Sequence, residues 1–345
     1  MAYEYSEDNL IEKTAIDLFL NKLGWDTLLA YNKESFGEGS SLGRLNKKEV
    51  LIKNIFLEKL KEYNPDLPKK AYLEAYERLS EESTTKSLSE INFEKYQLLR
   101  DGIPVDYINE KGEHVKNKTL KVFDFEEPEN NNFLAVQQIW IEGKSKRLKR
   151  PDIIGFVNGI PLLFIELKAA HRKLENAYNE NFTDYKDTIP KLFHFNAFVL
   201  LSNGIESRIG SVTGKYQHFH EWKRITEEDE GIVALDRILV GVCEKSRFLD
   251  LFENFILFDK TEGKIVKLIA RNHQYIGVNK AIENIRNKEA LYKLGKISFE
   301  EKQKLGVFWH TQGSGKSYSM VFFCQKIHQK FTGSYTFLIV TDRIE

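Results

Sequence analysis

The stretch RPDIIGFVNGIPLLFIELK, residues 150–168, decides how the chain is to be read. Two apolar runs flank Asn158 and Gly159, so the segment predicts a β-hairpin, with Asp152 near its start and Glu166-x-Lys168 at its far end. Charges at the rim of an otherwise buried hairpin are costly unless they pair or bind something. Glu166 and Lys168 lie two apart on a strand, so their side chains leave one face while Leu167 enters the other. A plain two-residue turn at Asn158 and Gly159 would set Asp152 opposite Ile165, on the wrong face. An odd loop or a bulge would set it opposite Glu166.

Two carboxylates and a lysine on one face are what a magnesium-dependent phosphodiesterase needs. Magnesium takes oxygen ligands, usually one or two carboxylates with waters and phosphate. Asp152, Glu166 and the Leu167 carbonyl could supply them. Lys168 would orient or activate a water and offset transition-state charge. In a chain that is 30% charged, the same pattern also arises from strand-end surface pairs, and on residues alone both readings stay open. The basic run GKSKRLKR, residues 143–150, lies directly before Asp152 and is either a solvated turn or a nucleic-acid patch.

With 345 residues the chain has room for two domains, and 41% hydrophobic with 12% aromatic residues exclude a disordered protein. Lys plus Arg equals Asp plus Glu at 51 each, so the total charge gives no sign of nucleic acid. Cys243 and Cys324 have no metal-like spacing, and neither a disulfide framework nor a zinc site is expected. No signal peptide and no membrane-length apolar run is visible, which predicts a cytoplasmic protein without membrane contact.

Periodicity predicts a helix over residues 6–23, with Leu10, Ala15, Leu18, Phe19 and Leu23 on one face, Ser6 to Asn9 capping it and Gly24 as its stop. A strand at 25–31 and a loop at 37–43 follow. Residues 47–99 read as helical, broken at Asn64-Pro65 and Pro68. Strands are expected at 120–125, 133–142, 152–157, 161–168, 197–202 and 208–212, with a crossover helix at 169–188 before Pro190. Strands joined by a crossover helix give an α/β sheet. Residues 227–258 turn helical, and a domain boundary is placed near 259–263. A helix at 272–287 then precedes a strand at 307–310, a helix at 316–329 and a strand at 335–341, which together make a βαβ unit.

Between the first of those strands and its helix stands HTQGSGKS, residues 310–317. It ends as a phosphate loop does, with His310 where the strict pattern has glycine. Gly313, Ser314 and Gly315 would let backbone N–H groups approach phosphates at a helix N-terminus. Lys316 would reach the β and γ phosphates and Ser317 a magnesium ion.

Pro151-Asp152 with Glu166-Leu167-Lys168 resembles the PD-(D/E)xK nucleases, and specifically the N-terminal domain of the restriction (R) subunit of type I restriction-modification enzymes. The likeness extends to Glu12 on a helix ending at Leu23-Gly24-Trp25, to IPKLFHFN at 189–196 and to LSNG at 201–204. It implies an α/β fold: a restriction-endonuclease-like mixed sheet flanked by helices over residues 1–260, then the beginning of a RecA-like P-loop lobe over 261–345. It implies magnesium-dependent cutting of double-stranded DNA, coupled in the full-length protein to ATP-driven translocation. Asp152, Glu166 and Lys168 would be catalytic, Glu12 would complete the metal site or lie on a solvated helix face, and Tyr185 would match the tyrosine of a Q-x-x-x-Y motif. Asn181 stands where that motif has glutamine, which leaves DNA contact there open. The 310–317 wording is similar to that of superfamily 2 DNA translocases in the same subunits. RNHQY at 271–275 resembles their Q motif, in which Gln274 would read the adenine edge, or is a helix-capping cluster. TDR at 341–343 resembles the opening of the next helicase motif. The partners implied are methylase and specificity subunits, with S-adenosylmethionine held by that core and not by this chain. Because the chain stops soon after Ser317, a fragment is expected that binds ATP weakly and does not translocate. Two rivals stand beside this reading: a helicase-like ATPase, or a non-catalytic assembly module, whose hairpin carboxylates are structural.

Overall fold

Strands that are apolar from end to end can be stable only between two covering layers, and the sheet of this protein is built in that way. The computed structural model describes residues 7–340 apart from 38, 110, 232–233 and 261–262. Helix α1 (Glu7–Asn21) is followed by Gly24, whose φ of 66° turns the chain into β1 (Asp26–Leu29). Helices α2 (Lys53–Tyr63), α3 (Lys69–Ser80) and α4 (Leu88–Asp101) come next, then the antiparallel pair β2 (Ile103–Ile108) and β3 (His114–Leu120). The chain continues through β4 (Phe133–Gln137), the short pair β5 (Ile141–Glu142) and β6 (Leu148–Lys149), β7 (Ile153–Val157) and β8 (Ile160–Leu167). Helix α5 (Leu174–Asn176), a π-helical segment (Ala177–Phe182) and α6 (Thr183–Thr188) form the crossover, and α7 (Pro190–Phe193) leads to β9 (Phe198–Ser202) and β10 (Ser207–Gly210). Then come α8 (Leu235–Cys243), α9 (Lys245–Asn254), the hairpin β11 (Ile256–Asp259) and β12 (Val266–Ile269), α10 (Asn272–Lys293), α11 (Phe299–Gln303) and α12 (Lys316–Lys330).

The main sheet has the order β1-β4-β7-β8-β9-β10. It is mixed: β1 with β4 and β8 with β9 are parallel, and the other neighbours are antiparallel. Phe164 on β8 meets the rings of Phe182, Tyr185 and Phe193 from the crossover layer at 5.2–5.8 Å. Trp25 is 1% exposed and packs against Phe19, Phe133 and Phe248. It fits because Gly155 on β7 has no side chain: a Cβ there would lie 3.0 Å from the indole.

Several expectations need correction. Residues 121–125 form no strand; β3 ends at Leu120. Their backbone groups are met by side chains from elsewhere, with Asn64 bonding Lys121, Asn131 bonding Asp124 and Asn158 bonding the Val122 carbonyl. The hairpin β2–β3 was not expected. The expected strand at 133–142 breaks after Gln137, because Gln138 takes a φ of 55°. The crossover helix starts at Leu174, five residues later than expected, and contains a π-helical turn. Leu10 is 67% exposed and does not join the buried face of α1. Residues 307–310 and 335–340 are not strands, so no βαβ unit forms among the described residues. Val307 and Leu338 are 94% and 89% exposed, and without neighbouring strands such segments have no ladder to join. Ser6 and residues 341–343 lie outside the described residues.

Asn158 and Gly159 turn β7 into β8 in two residues, with φ of 50° and 77°. Gly159 is also fixed from outside. Its carbonyl accepts from Ile52 N at 2.8 Å, and a Cβ on it would sit 2.4 Å from the Ile52 carbonyl oxygen. Gly159→Ala is therefore expected to destabilise the protein by about 1–3 kcal/mol, read as a lower urea midpoint at unchanged m-value.

Candidate active site

The register of β7 against β8 decides what the hairpin can do. Val157 pairs with Ile160 and Phe156 with Pro161, but Gly155 pairs with Leu163, so Leu162 is an extra residue. Beyond this bulge Ile153 pairs with Ile165, which sets Asp152 across from Glu166. The two carboxylates thus share the face that carries Phe164.

Asp152 Oδ2 accepts a hydrogen bond from Leu167 N at 2.7 Å. Lys168 Nζ lies 3.3 Å from Glu166 Oε1, with the side chains 15% and 2% exposed. Glu166 Oε2 is buried and has no hydrogen-bond partner. Burial holds the Glu166 carboxyl well above the usual carboxylate range; the charges of Asp152 and Glu12 add to this and Lys168 opposes it.

Glu12 is 4% exposed, not on a solvated face. Its Oε2 accepts from the amides of Gln137 at 2.8 Å and Gln138 at 2.7 Å. Gln138 N in turn donates to the Asp152 carbonyl at 2.9 Å, so the left-handed backbone at Gln138 ties the α1 acid to the hairpin acid. The Tyr185 hydroxyl donates to the Arg150 carbonyl at 3.3 Å and is hydrogen-bonded by Asn181. Burial, then the charges of Glu166 and Asp152, raise its pKa. Glu12, Asp152, Glu166, Lys168 and Tyr185 are therefore brought together, with Asn181 on the π-helical segment beside them.

Among the described residues no three His, Cys, Asp or Glu side chains form a group that could hold a metal by themselves. The donors here are hard oxygens, with one buried Glu166 oxygen unpartnered. That suits magnesium, which takes one or two carboxylates and completes its shell with water and phosphate.

The second motif lies apart from this cluster. Gly313 and Gly315 have φ of 75° and 83°, and α12 begins at Lys316 directly after them. Lys316 and Ser317 are exposed, and Lys316 Nζ donates to the His310 carbonyl at 3.0 Å. Gln274 is 3% exposed, with Nε2 donating to the Gly315 carbonyl at 2.9 Å and Oε1 accepting from Arg271 N at 2.8 Å. Both ends of its amide hold the loop and the start of α10. The Ser314 carbonyl lies 3.0 Å from His273 Nε2.

A family model described as the type I restriction enzyme R protein N terminus matches residues 4–218. The chain belongs to this family. A model described as SWI2/SNF2 ATPase matches residues 273–345. The chain is similar to the type I restriction enzyme HindI endonuclease subunit of Haemophilus influenzae, 35% identical over 97% of this chain and 31% of that protein. It is also 29% identical to a Methanocaldococcus jannaschii protein that carries the name of the MjaIXP endonuclease subunit, over 100% of this chain and 34% of that protein. The chain spans about a third of the length of these relatives. In this R-protein chain, no helix among the described residues is long and apolar enough to cross a membrane.

Sequence reasoning missed Gln137 and Gln138. Their signal was present, as two adjacent amides closing the apolar run at 133–136, where a buried amide needs a partner.

Proposed function

We propose that the bulged hairpin is the magnesium-dependent, PD-(D/E)xK-type centre of a type I restriction enzyme R subunit, which cuts double-stranded DNA. In the full-length protein it would be joined to an ATP-driven translocase of RecA-like fold that begins at the 310–317 loop. The observation that carries this reading is the register shift at Leu162, which sets Asp152 across from Glu166 with Lys168 beside them.

Asp152 and Glu166, with the Leu167 backbone, would hold the ion, and Glu12 closes the cluster on its α1 side. Bound magnesium supplies Lewis-acid stabilisation of phosphate charge and a more acidic water. Lys168 places a positive charge where charge develops on the phosphate and can orient the attacking water. The Tyr185 hydroxyl and Asn181 amide offer neutral polar groups to the same face. At the 310–317 loop, two left-handed glycines and an exposed Lys316 suit a nucleotide phosphate, with Ser317 as the magnesium-side hydroxyl. The family reading adds methylase and specificity subunits as partners, with S-adenosylmethionine confined to them.

The test is nicking of supercoiled DNA by the full-length subunit in its complex, with magnesium present. Asp152→Ala is expected to remove cutting and leave ATP hydrolysis intact. Unchanged cutting would make the hairpin carboxylates structural, as in an ATPase or an assembly module.

A further inference from the structure

We infer that Arg150, clamped between the rings of Tyr31 and Trp140, is a backbone-phosphate contact that seats duplex DNA on the Asp152–Glu166 site; this rests on the nuclease reading above. The guanidinium carbon lies 4.5 Å from the Tyr31 ring centroid and 5.3 Å from that of Trp140. The Lys47 ammonium lies 5.7 Å from the same indole. All four side chains are partly exposed. A guanidinium stacked on aromatic faces keeps its donors in a fixed plane and loses little rotamer freedom when it binds. That planar fork matches a phosphate bidentately.

The clamp is built from beneath. Arg44 and Glu34 form a bidentate ion pair at 2.7 and 2.6 Å, with side chains 1% and 3% exposed. Arg44 also donates to the Trp140 carbonyl at 3.0 Å and to the Glu49 carbonyl at 2.7 Å. Burying two charges carries a desolvation cost that simple packing would avoid. Here the pair pins the segment bearing Tyr31 and Lys47 against Trp140, in the connection between β4 and β5.

Position links the clamp to the chemistry. Arg150 precedes Asp152 by two residues, and its carbonyl receives the Tyr185 hydroxyl. The neighbouring residues of the 143–150 run divide by environment. Lys149 is paired with Asp184 on the crossover helix, whereas Lys144, Lys146 and Arg147 are exposed. The run is thus a basic edge whose last member, Arg150, held against two aromatic rings, stands next to the carboxylates. Contacts of this type fix the orientation of a duplex without reading its sequence.

The test is binding of this chain to a short labelled duplex by fluorescence anisotropy, in EDTA so that nothing is cut, over a salt series. Arg150→Ala is expected to weaken binding about tenfold and to reduce the slope of log affinity against log salt by about one. Arg150→Lys keeps the charge and should restore the slope while regaining only part of the affinity. Arg150→Gln, with a melting curve equal to wild type, guards against a folding artefact. An unchanged slope in Arg150→Ala and Arg150→Gln, or no wild-type binding at low salt, would overturn the inference. Asp152→Ala separates the two claims: if it still cuts, the nuclease reading fails. If it stops cutting while Arg150→Ala binds as wild type, only the Arg150 inference fails.

Discussion

Lys168→Ala is expected to lower magnesium-dependent cutting by about 100- to 10,000-fold, the range for removing a positioned acid–base group. The lysine has two consequences in this structure. It is the positive charge within reach of the hairpin carboxylates, 3.3 Å from Glu166 Oε1, and it opposes the rise in proton affinity that burial imposes on Glu166. Without it Glu166 keeps its proton to higher pH, so the residual activity should have its acid limb displaced upward. Lys168→Arg retains the charge and should keep that limb near its wild-type position while losing rate through altered reach. Rates of supercoiled-plasmid nicking against pH, for the full-length subunit in its complex, give both quantities. A Lys168→Ala protein that cuts at the wild-type rate would remove the lysine from the mechanism.

Stability should rise with pH across the alkaline range because of Lys267. This side chain on β12 is fully buried, and burial lowers its pKa from 10.5 to about 7. Its Nζ donates to the Asn196 carbonyl at 2.6 Å and to Asn92 Oδ1 at 3.2 Å, and it meets no carboxylate among the described residues. The folded state therefore prefers the neutral amine, while the unfolded chain keeps an ordinary lysine. Between about pH 7 and 10.5 the unfolded chain binds the extra proton, so unfolding free energy increases with pH in that window. Below pH 7 both states are charged, the penalty is complete and the contribution is flat. A shift of this size corresponds to a few kcal/mol. Urea midpoints measured from pH 6.5 to pH 10 should rise for wild type and lose most of that slope in Lys267→Met, which keeps the length but not the amine. Equal slopes in the two proteins would place the titration elsewhere.

The hairpin was legible in the sequence because its apolar runs and Asn158-Gly159 turn are local signals. So was the demand for a bulge or an odd loop, since it follows from strand parity alone. Which residue bulges was not legible, because Leu162 reads like any other apolar residue of its strand. The 120–125 segment looked like a strand for the same local reason. Two of its backbone partners, Asn64 and Asn158, lie far away in the sequence where no window can connect them, and the third, Asn131, follows only seven residues after Asp124. At the site, the acids and the lysine could be named from residue type and spacing. The grip of Gln137 and Gln138 on Glu12 depends on α1 reaching the end of β4, which is a tertiary fact. The phosphate loop shows the opposite failure. Its glycines are where the motif puts them, but the flanking strands read from apolar pattern need a ladder, and among the described residues no strand pairs with 307–310 or 335–340.

The extra residue at Leu162 also limits how this hairpin can change over time. Side chains on a strand alternate, so a single insertion or deletion among the paired residues between Asp152 and Glu166 would send one acid to the far side of the sheet unless the bulge or the turn absorbs it. Length changes in this interval are therefore tolerated in even steps, or in odd steps when the bulge is lost or the turn changes by one residue. Among related chains, the spacing between the two acids should vary by twos wherever the bulge is kept. An odd spacing change should coincide with a lost bulge or a reshaped turn.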